Sequence, residues 1–332
     1  MKAIVYARGG FDLVDLPVPE PGPGEVRVKV AVSGVNPTDW KARDRVAEPD
    51  GRTVPNQDGA GVVDAVGPDV SLTVGTRVWL WEAAWQRPDG TAQEFVVLPE
   101  RHAVPLPERA AFDLGASIGI PALTAHRCLT VADGGPDRLA PGALSGRMVL
   151  VAGGAGAVGN AAIQLAKWAG ATVVSTVSGP EKAELAKAAG ADHVVNYRTG
   201  NAVEAIESFA PAGVDIVVEV SPATNAPLVA AVAGPNATVS VYATDGGDGA
   251  TLPVFPLMAH NIRYQFVLVY TEPVAAKENA IADVTAAVAA GALRAGPEAG
   301  LPLHRFPLAN TAEAHAAVRA GAVGKVLIDI PG

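Results

Sequence analysis

Three glycines in G-x-G-x-x-G spacing, Gly154, Gly156 and Gly159, form the pattern in this chain that most directly implies chemistry. They lie in Val149-Leu-Val-Ala-Gly-Gly-Ala-Gly-Ala-Val-Gly159, which runs straight into Asn160-Ala-Ala-Ile-Gln-Leu-Ala-Lys167. The apolar run 148–152 reads as a buried strand, and the residues from 155 onward as an amphipathic helix. In that setting the glycines serve three separate purposes, namely a tight turn, approach of backbone to a pyrophosphate, and close packing of helix on strand. A helix N-terminus also points unpaired N–H groups and a partial positive charge at the same place. The expectation is a dinucleotide site whose phosphates meet Gly154, Ala155, Gly156, Ala157, Val158 and Gly159. A plain strand–turn–helix connection is the bland alternative.

Other chemistries are narrowed by what the chain lacks. The single cysteine, Cys128, excludes a disulfide within one chain and a cysteine-rich zinc cluster. The six histidines (102, 126, 193, 260, 304 and 315) show no ligand spacing. His126 and Cys128, two apart, point different ways on a helix.

The elements that must position these residues follow from composition and pattern. A length of 332 residues fits one large or two ordinary domains, and 49% hydrophobic with 18% charged residues supplies ample core. A net charge of −9 argues against nucleic acid or anionic lipid as the main partner. The apolar run at the start is too short for a signal peptide, and no later run could span a bilayer, so the cytoplasm is the expected location. Residues 1–122 read as β structure, with short runs at 3–6, 25–32, 61–66, 77–80 and 93–98 between Pro/Gly punctuation, which suggests a small barrel. From about 122 to 270 strands (148–152, 172–177, 193–196, 216–220, 238–242, 264–269) alternate with helices (155–169, 180–189, 201–208, 225–232), the rhythm of a doubly wound parallel sheet. The tail reads as a helix at 274–290, a strand at 304–307, a helix at 311–319 and a strand at 324–330, expected to complete the first domain.

Several ordered motifs share one register: Ser33-Gly-Val-Asn-Pro-Thr-Asp39, Asp58-Gly-Ala-Gly-Val-Val63 with Ala65-Val-Gly67, Ile118-Gly-Ile-Pro-Ala-Leu-Thr-Ala125, the glycine turn, Gly190-Ala-Asp-His-Val-Val-Asn-Tyr197 and Gly324-Lys-Val-Leu327. With them the chain resembles, over nearly its whole length, the zinc-free quinone oxidoreductase (zeta-crystallin-like) branch of the medium-chain dehydrogenase/reductase superfamily. The resemblance implies an α/β fold: a Rossmann doubly wound parallel sheet inserted in a GroES-like β-barrel catalytic domain. Residues 1–122 plus 271–332 would form the catalytic domain and 123–270 the NADP(H)-binding domain. It also implies a homodimer joined through the strand from Arg263 to Tyr270. That run is long and apolar for an exposed edge, so either a second copy or a loop of the same chain should cover it.

The dinucleotide can be narrowed further. NAD-specific sites usually place an acid at the end of the second strand, and Thr172-Val-Val-Ser-Thr-Val-Ser178 has none at its tip. Ser178, Lys182 and Tyr197 occupy positions that hold the 2′-phosphate of NADPH in the resembling family. A charge-assisted contact there is worth about 1.5–3 kcal/mol, although Glu181 lies close and opposes it. The resemblance further places Asn36, Lys41 and Thr124 near the nicotinamide ribose and ring, Ser221, Tyr242, Ala243 and Thr244 along the ribose crevice, Phe266, Val267 and Leu268 at the carboxamide, and Lys325 closing the cleft. A turn is the bland reading of Asn36-Pro37, and core packing that of Tyr242 and Phe266.

Zinc alcohol dehydrogenases of the same superfamily need thiolate or imidazole ligands. Here the first ligand position falls in Asn36-Pro-Thr-Asp39, and Asn56-Gln57-Asp58 stands where a Gly-His-Glu run would fall. No metal is expected. The chemistry that remains is hydride addition to a quinone or an α,β-unsaturated carbonyl, with the developing charge held by hydrogen bonds. Related enoyl reductases present a tyrosine after the Asn-Pro motif; Trp40-Lys-Ala-Arg-Asp-Arg45 has none. Asn36, Asp39 and Lys41 are therefore the candidate catalytic residues. Trp79 and Trp81 alternate on one strand and read as core, whereas Trp85 is the candidate substrate contact. The expected function is an NADPH-dependent, metal-free reductase of a small molecule; an enoyl-thioester reductase and a catalytically silent NADPH-binding protein are the alternatives.

Overall fold

A computed structural model describes residues 1–7, 10–45 and 52–331. The chain divides into two compact units, Met1–Ile120 with Pro302–Gly332, and Pro121–Leu301. The first begins with an antiparallel pair, β1 (Lys2–Ala7) and β2 (Gly10–Asp15). There follow β3 (Glu25–Val35), α1 (Pro37–Arg45), β4 (Asp58–Val66), β5 (Arg77–Leu80), β6 (Phe95–Pro99), β7 (Ala103–Pro105) and α2 (Phe112–Thr130). On β3 the alternate residues Val26, Val28 and Val30 are buried on one face, the period-2 pattern of a β-branched strand. Its register against β4 shifts at Arg27/Val28 and again at Val30/Val32, bulges that bend the sheet.

The second unit comprises β8 (Met148–Ala152), α3 (Ala157–Trp168), β9 (Thr172–Val177), α4 (Pro180–Ala188), β10 (His193–Asn196), α5 (Ala202–Phe209), β11 (Val214–Glu219), α6 (Pro222–Val232), β12 (Ala233–Val241), α7 (Val254–Ala259), β13 (Arg263–Phe266) and α8 (Val274–Ala289). The chain then returns to the first unit with β14 (Leu303–Pro307), α9 (Thr311–Arg319) and β15 (Lys325–Asp329). That unit's seven-stranded sheet has the order β14-β15-β3-β4-β5-β7, with β6 paired to β3. The six strands of the second unit run β10-β9-β8-β11-β12-β13, all parallel. Chain order turns back on itself at β8, so the crevice beyond its carboxyl end is where such a sheet receives a ligand.

Several elements differ from the expectation. Residues 271–301, expected with the first unit, belong to the second, because α8 is fastened there: buried Asp283 accepts from Leu139 N at 2.7 Å and pairs with His126 Nε2 at 2.8 Å. The strand expected over 264–269 ends at Phe266, where Val267 N makes the last bond to Val241 O and a 3-10 turn at Val269–Thr271 follows. α1 and the first half of α2 carry no apolar helical period to announce them. Gly115 and Gly119 lower helix propensity in α2 but permit close approach: a Cβ on Gly119 would lie 2.3 Å from Asp58 Oδ1. No helix among the described residues is long and apolar enough to cross a membrane.

Candidate functional site

The carboxyl end of β8 runs into Gly153, whose φ of +70° makes it the residue that turns the chain, one place ahead of the three spaced glycines. A Cβ on Gly154 would lie 2.1 Å from Ser175 Oγ, and one on Gly159 would lie 2.4 Å from Gly153 O. These two glycines therefore let α3 pack on the sheet. Gly156 is different. Its added Cβ would meet nothing nearer than Gly153 O at 3.5 Å, so its backbone presents an open face. Helix α3 begins at Ala157, not at 155, which leaves Ala155 in the turn. Its N-cap Gly156 offers no side-chain cap, and its first turn contains no acid. The first-turn N–H groups and the positive end of the helix dipole are thus left to an outside anion, as a pyrophosphate requires.

The other residues expected to bind cofactor in this unit, Thr124 on α2 apart, line the strand tips. Ser178 follows β9 and Tyr197 follows β10; Val177 faces Asn196 in register, and Tyr197 N donates to Val177 O at 3.1 Å. Lys182, half-buried, lies in the first turn of α4, and Tyr197 is 49% exposed. Two hydroxyls and a cation share this corner, with exposed Glu181 beside them. At the next tips, Ser221 Oγ donates to Asp245 O at 2.6 Å and Tyr242 N donates to Glu219 O at 3.1 Å. Tyr242 and Ala243 are half-buried and Thr244 is exposed. The buried Glu219 carboxyl accepts from Ser221 N at 2.5 Å and from Asn225 Nδ2 at 2.9 Å, and burial raises its pKa. Glu219 was not singled out in the sequence; its signal is an acid that ends the apolar run Ile216-Val-Val218 at the carboxyl end of β11. Thr124 is buried on α2. Phe266 is 70% and Leu268 53% exposed on the edge strand and beyond, so the core reading of Phe266 is wrong. Val267 is buried.

In the first unit, Asn36, Asp39 and Lys325 come together with a fourth residue, Asp58. Asn36 precedes α1, with Pro37 at its first position. Asp39 in the first turn accepts from Asn36 N at 2.7 Å, the return half of a capping box. That leaves the Asn36 side chain for other partners. Its Nδ2 donates to Asp58 Oδ2 at 2.7 Å and its Oδ1 accepts from Lys325 Nζ at 2.7 Å. Lys325 Nζ also donates to Asp58 Oδ2 at 3.0 Å, and Asp58 Oδ1 accepts from Ile120 N at 2.8 Å. Lys325 and Asp58 are 1% and 0% exposed. Lys325, expected to close the cleft, is here half of a buried ion pair. Burial pushes the Asp39 carboxyl up to about 7; the Asn36 N–H and Lys325 lower it and the Asp58 charge raises it.

Lys41 lies with its ammonium 5.7 Å from the ring centre of Trp40, which also receives Arg319 at 5.3 Å. Trp79 and Trp81 are buried, as their alternation implies, and Trp81 Nε1 donates to Arg101 O at 3.1 Å. Trp85 is half-buried in a turn closed by its N–H on Glu82 O at 3.2 Å. Gln57, at the position compared with a zinc-ligand histidine, accepts at Oε1 from Ala84 N at 3.1 Å; Asn56 beside it donates from Nδ2 to Ser33 Oγ at 2.9 Å, and Ser33 meets Thr91 Oγ1 at 2.7 Å. Among the described residues no group of three His, Cys, Asp or Glu side chains could hold a metal ion. Burial raises the Cys128 thiol pKa.

Two units of this kind, one carrying a glycine turn on a doubly wound sheet, define a medium-chain dehydrogenase/reductase. Residues 22–108 match the alcohol dehydrogenase GroES-like domain family and residues 157–287 the zinc-binding dehydrogenase family. Human quinone oxidoreductase is 29% identical over 99% of this chain and 97% of its own; its rat counterpart is 33% identical over 66% of each. Among solved structures, one named as an NAD-dependent alcohol dehydrogenase is 29% identical with a TM-score of 0.85, covering 100% of both chains. The quinone oxidoreductase of Thermus thermophilus, solved also in complex with NADPH, is 27% identical with a TM-score of 0.80, covering 99% of this chain and 100% of that one. The chain belongs to the quinone oxidoreductase branch of the medium-chain dehydrogenase/reductase superfamily, a family of oxidoreductases.

Proposed function

We propose that this protein is an NADPH-dependent reductase that works without a metal on a quinone or an α,β-unsaturated carbonyl. The observation that carries this reading is the rim of the second unit: an open glycine backbone, a helix N-terminus free of caps and acids, and Ser178, Lys182 and Tyr197 on neighbouring tips. NADPH, when bound, supplies a hydride from its nicotinamide C4. The N–H groups around Gly156 to Gly159 hold the pyrophosphate. Ser178, Lys182 and Tyr197 hold the 2′-phosphate. Ser221 and Tyr242 to Thr244 line the ribose, Phe266 to Leu268 offer backbone groups to the carboxamide, and Thr124 supports the ring.

In the first unit Asn36 and Lys325 donate hydrogen bonds to the acceptor oxygen as it gains charge, which is where preorganised donors lower a barrier. Asp39, with a pKa of about 7, holds a proton near neutrality, and Lys41 adds positive charge. Trp85 stacks on a flat acceptor. The acceptor takes up a hydride and a proton, two electrons in all. The metal-free reading is supported by Asn36-Pro-Thr-Asp39 and Gln57 standing where thiolate and imidazole ligands would be needed. We also assign a homodimer joined through the edge strand β13, supported by the exposure of Phe266 and Leu268 on it and after it.

The test is NADPH oxidation against 1,4-benzoquinone, 9,10-phenanthrenequinone, a 2-alkenal and a crotonyl thioester, repeated with NADH. Turnover of the quinones or the alkenal with NADPH preferred is the expected outcome. Activity confined to saturated ketones overturns the reading.

A further inference from the structure

Asp58 has no assigned role, yet it holds together the two residues proposed to face the acceptor. It is fully buried at the start of β4, and both of its oxygens are committed: Oδ1 to Ile120 N at 2.8 Å, and Oδ2 to Asn36 Nδ2 at 2.7 Å and Lys325 Nζ at 3.0 Å. Gly119 makes room for it, since a Cβ there would lie 2.3 Å from Oδ1. Every group that meets Asp58 in these bonds is a donor. Only a carboxylate of this size accepts on both oxygens; an amide would have to turn its NH2 towards Ile120 N–H or towards Asn36 and Lys325. The same geometry fixes the Asn36 amide, whose Nδ2 faces Asp58 and whose Oδ1 faces Lys325 at 2.7 Å. The inventory then leaves one hydrogen on Asn36 Nδ2 and one on Lys325 Nζ outside the cluster.

We propose that Asp58 is a positioning residue: its carboxylate sets which way round the Asn36 amide sits and holds the Lys325 ammonium, so that one N–H of each remains for the acceptor oxygen. This rests on the reductase reading above. It predicts that Asp58 acts through Lys325, which separates it from a residue that only stabilises the fold. Other charge near Lys325 comes from Asp39 of α1, which cannot replace Asp58 because its carboxylate serves the Asn36 backbone.

The test is a cycle of Asp58→Asn, Lys325→Met and the double variant, each assayed for kcat with 9,10-phenanthrenequinone, for NADPH affinity, and for the rate at which acetic anhydride labels Lys325 where it is present, read by peptide mass spectrometry. Asp58→Asn is expected to lower kcat at least tenfold, change NADPH affinity less than threefold, and speed Lys325 labelling at least tenfold. The double variant, which removes the charge mismatch, is expected to fold and to match Lys325→Met within threefold in kcat. Asp283→Asn, in the second unit, serves as a control that lowers the melting temperature without speeding Lys325 labelling. Additive losses in the cycle, or an unchanged labelling rate in Asp58→Asn, overturn the proposal. If the wild-type protein turns over no acceptor, the reductase reading fails, and the labelling comparison alone decides whether Asp58 holds Lys325.

Discussion

In the second unit the groups proposed to meet the pyrophosphate and carboxamide belong to the backbone, whereas in the first unit the groups proposed to face the acceptor are side chains bonded to one another out of water. The first arrangement stays open because glycines keep Cβ atoms away and no side chain caps α3. The second is closed: Asn36, Asp58 and Lys325 bond to one another, and none of them is more than 3% exposed. The lesson is that the two regions are sensitive to opposite changes. A backbone site is damaged by adding a single carbon; a side-chain cluster is damaged by changing one charge while leaving its volume alone.

The largest expected effect sharpens the first half of that contrast. Gly159→Ala forces a Cβ to within 2.4 Å of Gly153 O, backbone that cannot swing aside. We expect a loss of about 2–4 kcal/mol in stability and at least a hundredfold weaker NADPH binding, by thermal melting and by titration of NADPH fluorescence. Next comes a buried charge bonded to none of the residues given a role in the chemistry. Asp283→Asn removes the charge and turns an NH2 either towards Arg138 or towards His126 and Leu139 N, so one side of the cluster loses its acceptor, costing about 2–3 kcal/mol with kcat unchanged. The Asp283 pKa is lowered: burial opposes this, but the bonds from His126 and Arg138 outweigh it. Its stabilisation is therefore present above the ordinary carboxylate range and lost as pH falls below about 4, visible as a wild-type-minus-variant difference that closes in acid. If kcat falls with stability, the contrast between scaffold and site is broken.

Lys182→Ala addresses the one part of the open rim that relies on a charge. The KM for NADPH should rise about tenfold and that for NADH should stay within twofold. Equal effects on the two would remove the 2′-phosphate assignment. The smallest effect concerns Asp39. Its folded pKa of about 7 lies above its unfolded value, so its contribution to stability is complete below about pH 4 and is lost as pH rises through 7. Asp39→Asn should therefore flatten the melting temperature between pH 5 and 8 and gain about 1 kcal/mol over wild type at the upper end. A variant whose pH dependence parallels wild type would show that Asp39 is ionised throughout.

Much of the second unit was legible because it is periodic. Met148–Ala152, Thr172–Val177 and His193–Asn196 begin and end where the apolar runs do. The glycine turn was legible in spacing but not in division of labour, since the left-handed residue is Gly153 and spacing does not report φ. In the first unit, Asn36 and Lys325 were singled out by resemblance, and Asp58 was quoted within a motif without a role. Their meeting depends on contacts 22 and 289 residues apart, which no local pattern encodes. Phe266 was placed on an edge strand, and whether an edge residue is covered depends on a contact that the run of apolar residues does not encode.

The split arrangement of the first unit has a consequence for synthesis. Asp58 and its ammonium partner are 267 residues apart, so at roughly 5–20 residues per second the ribosome delivers the counter-charge about 15–50 s after the carboxylate. In that interval β3 lacks the neighbour that β15 will supply, and its hydrogen-bonding edge is open to other chains. A transcript cut short before codon 325 would yield a polypeptide with an intact nucleotide-binding half and an N-terminal half lacking the strand that closes its sheet, which makes the stretch from Lys325 onward the point of no return in the birth of this enzyme.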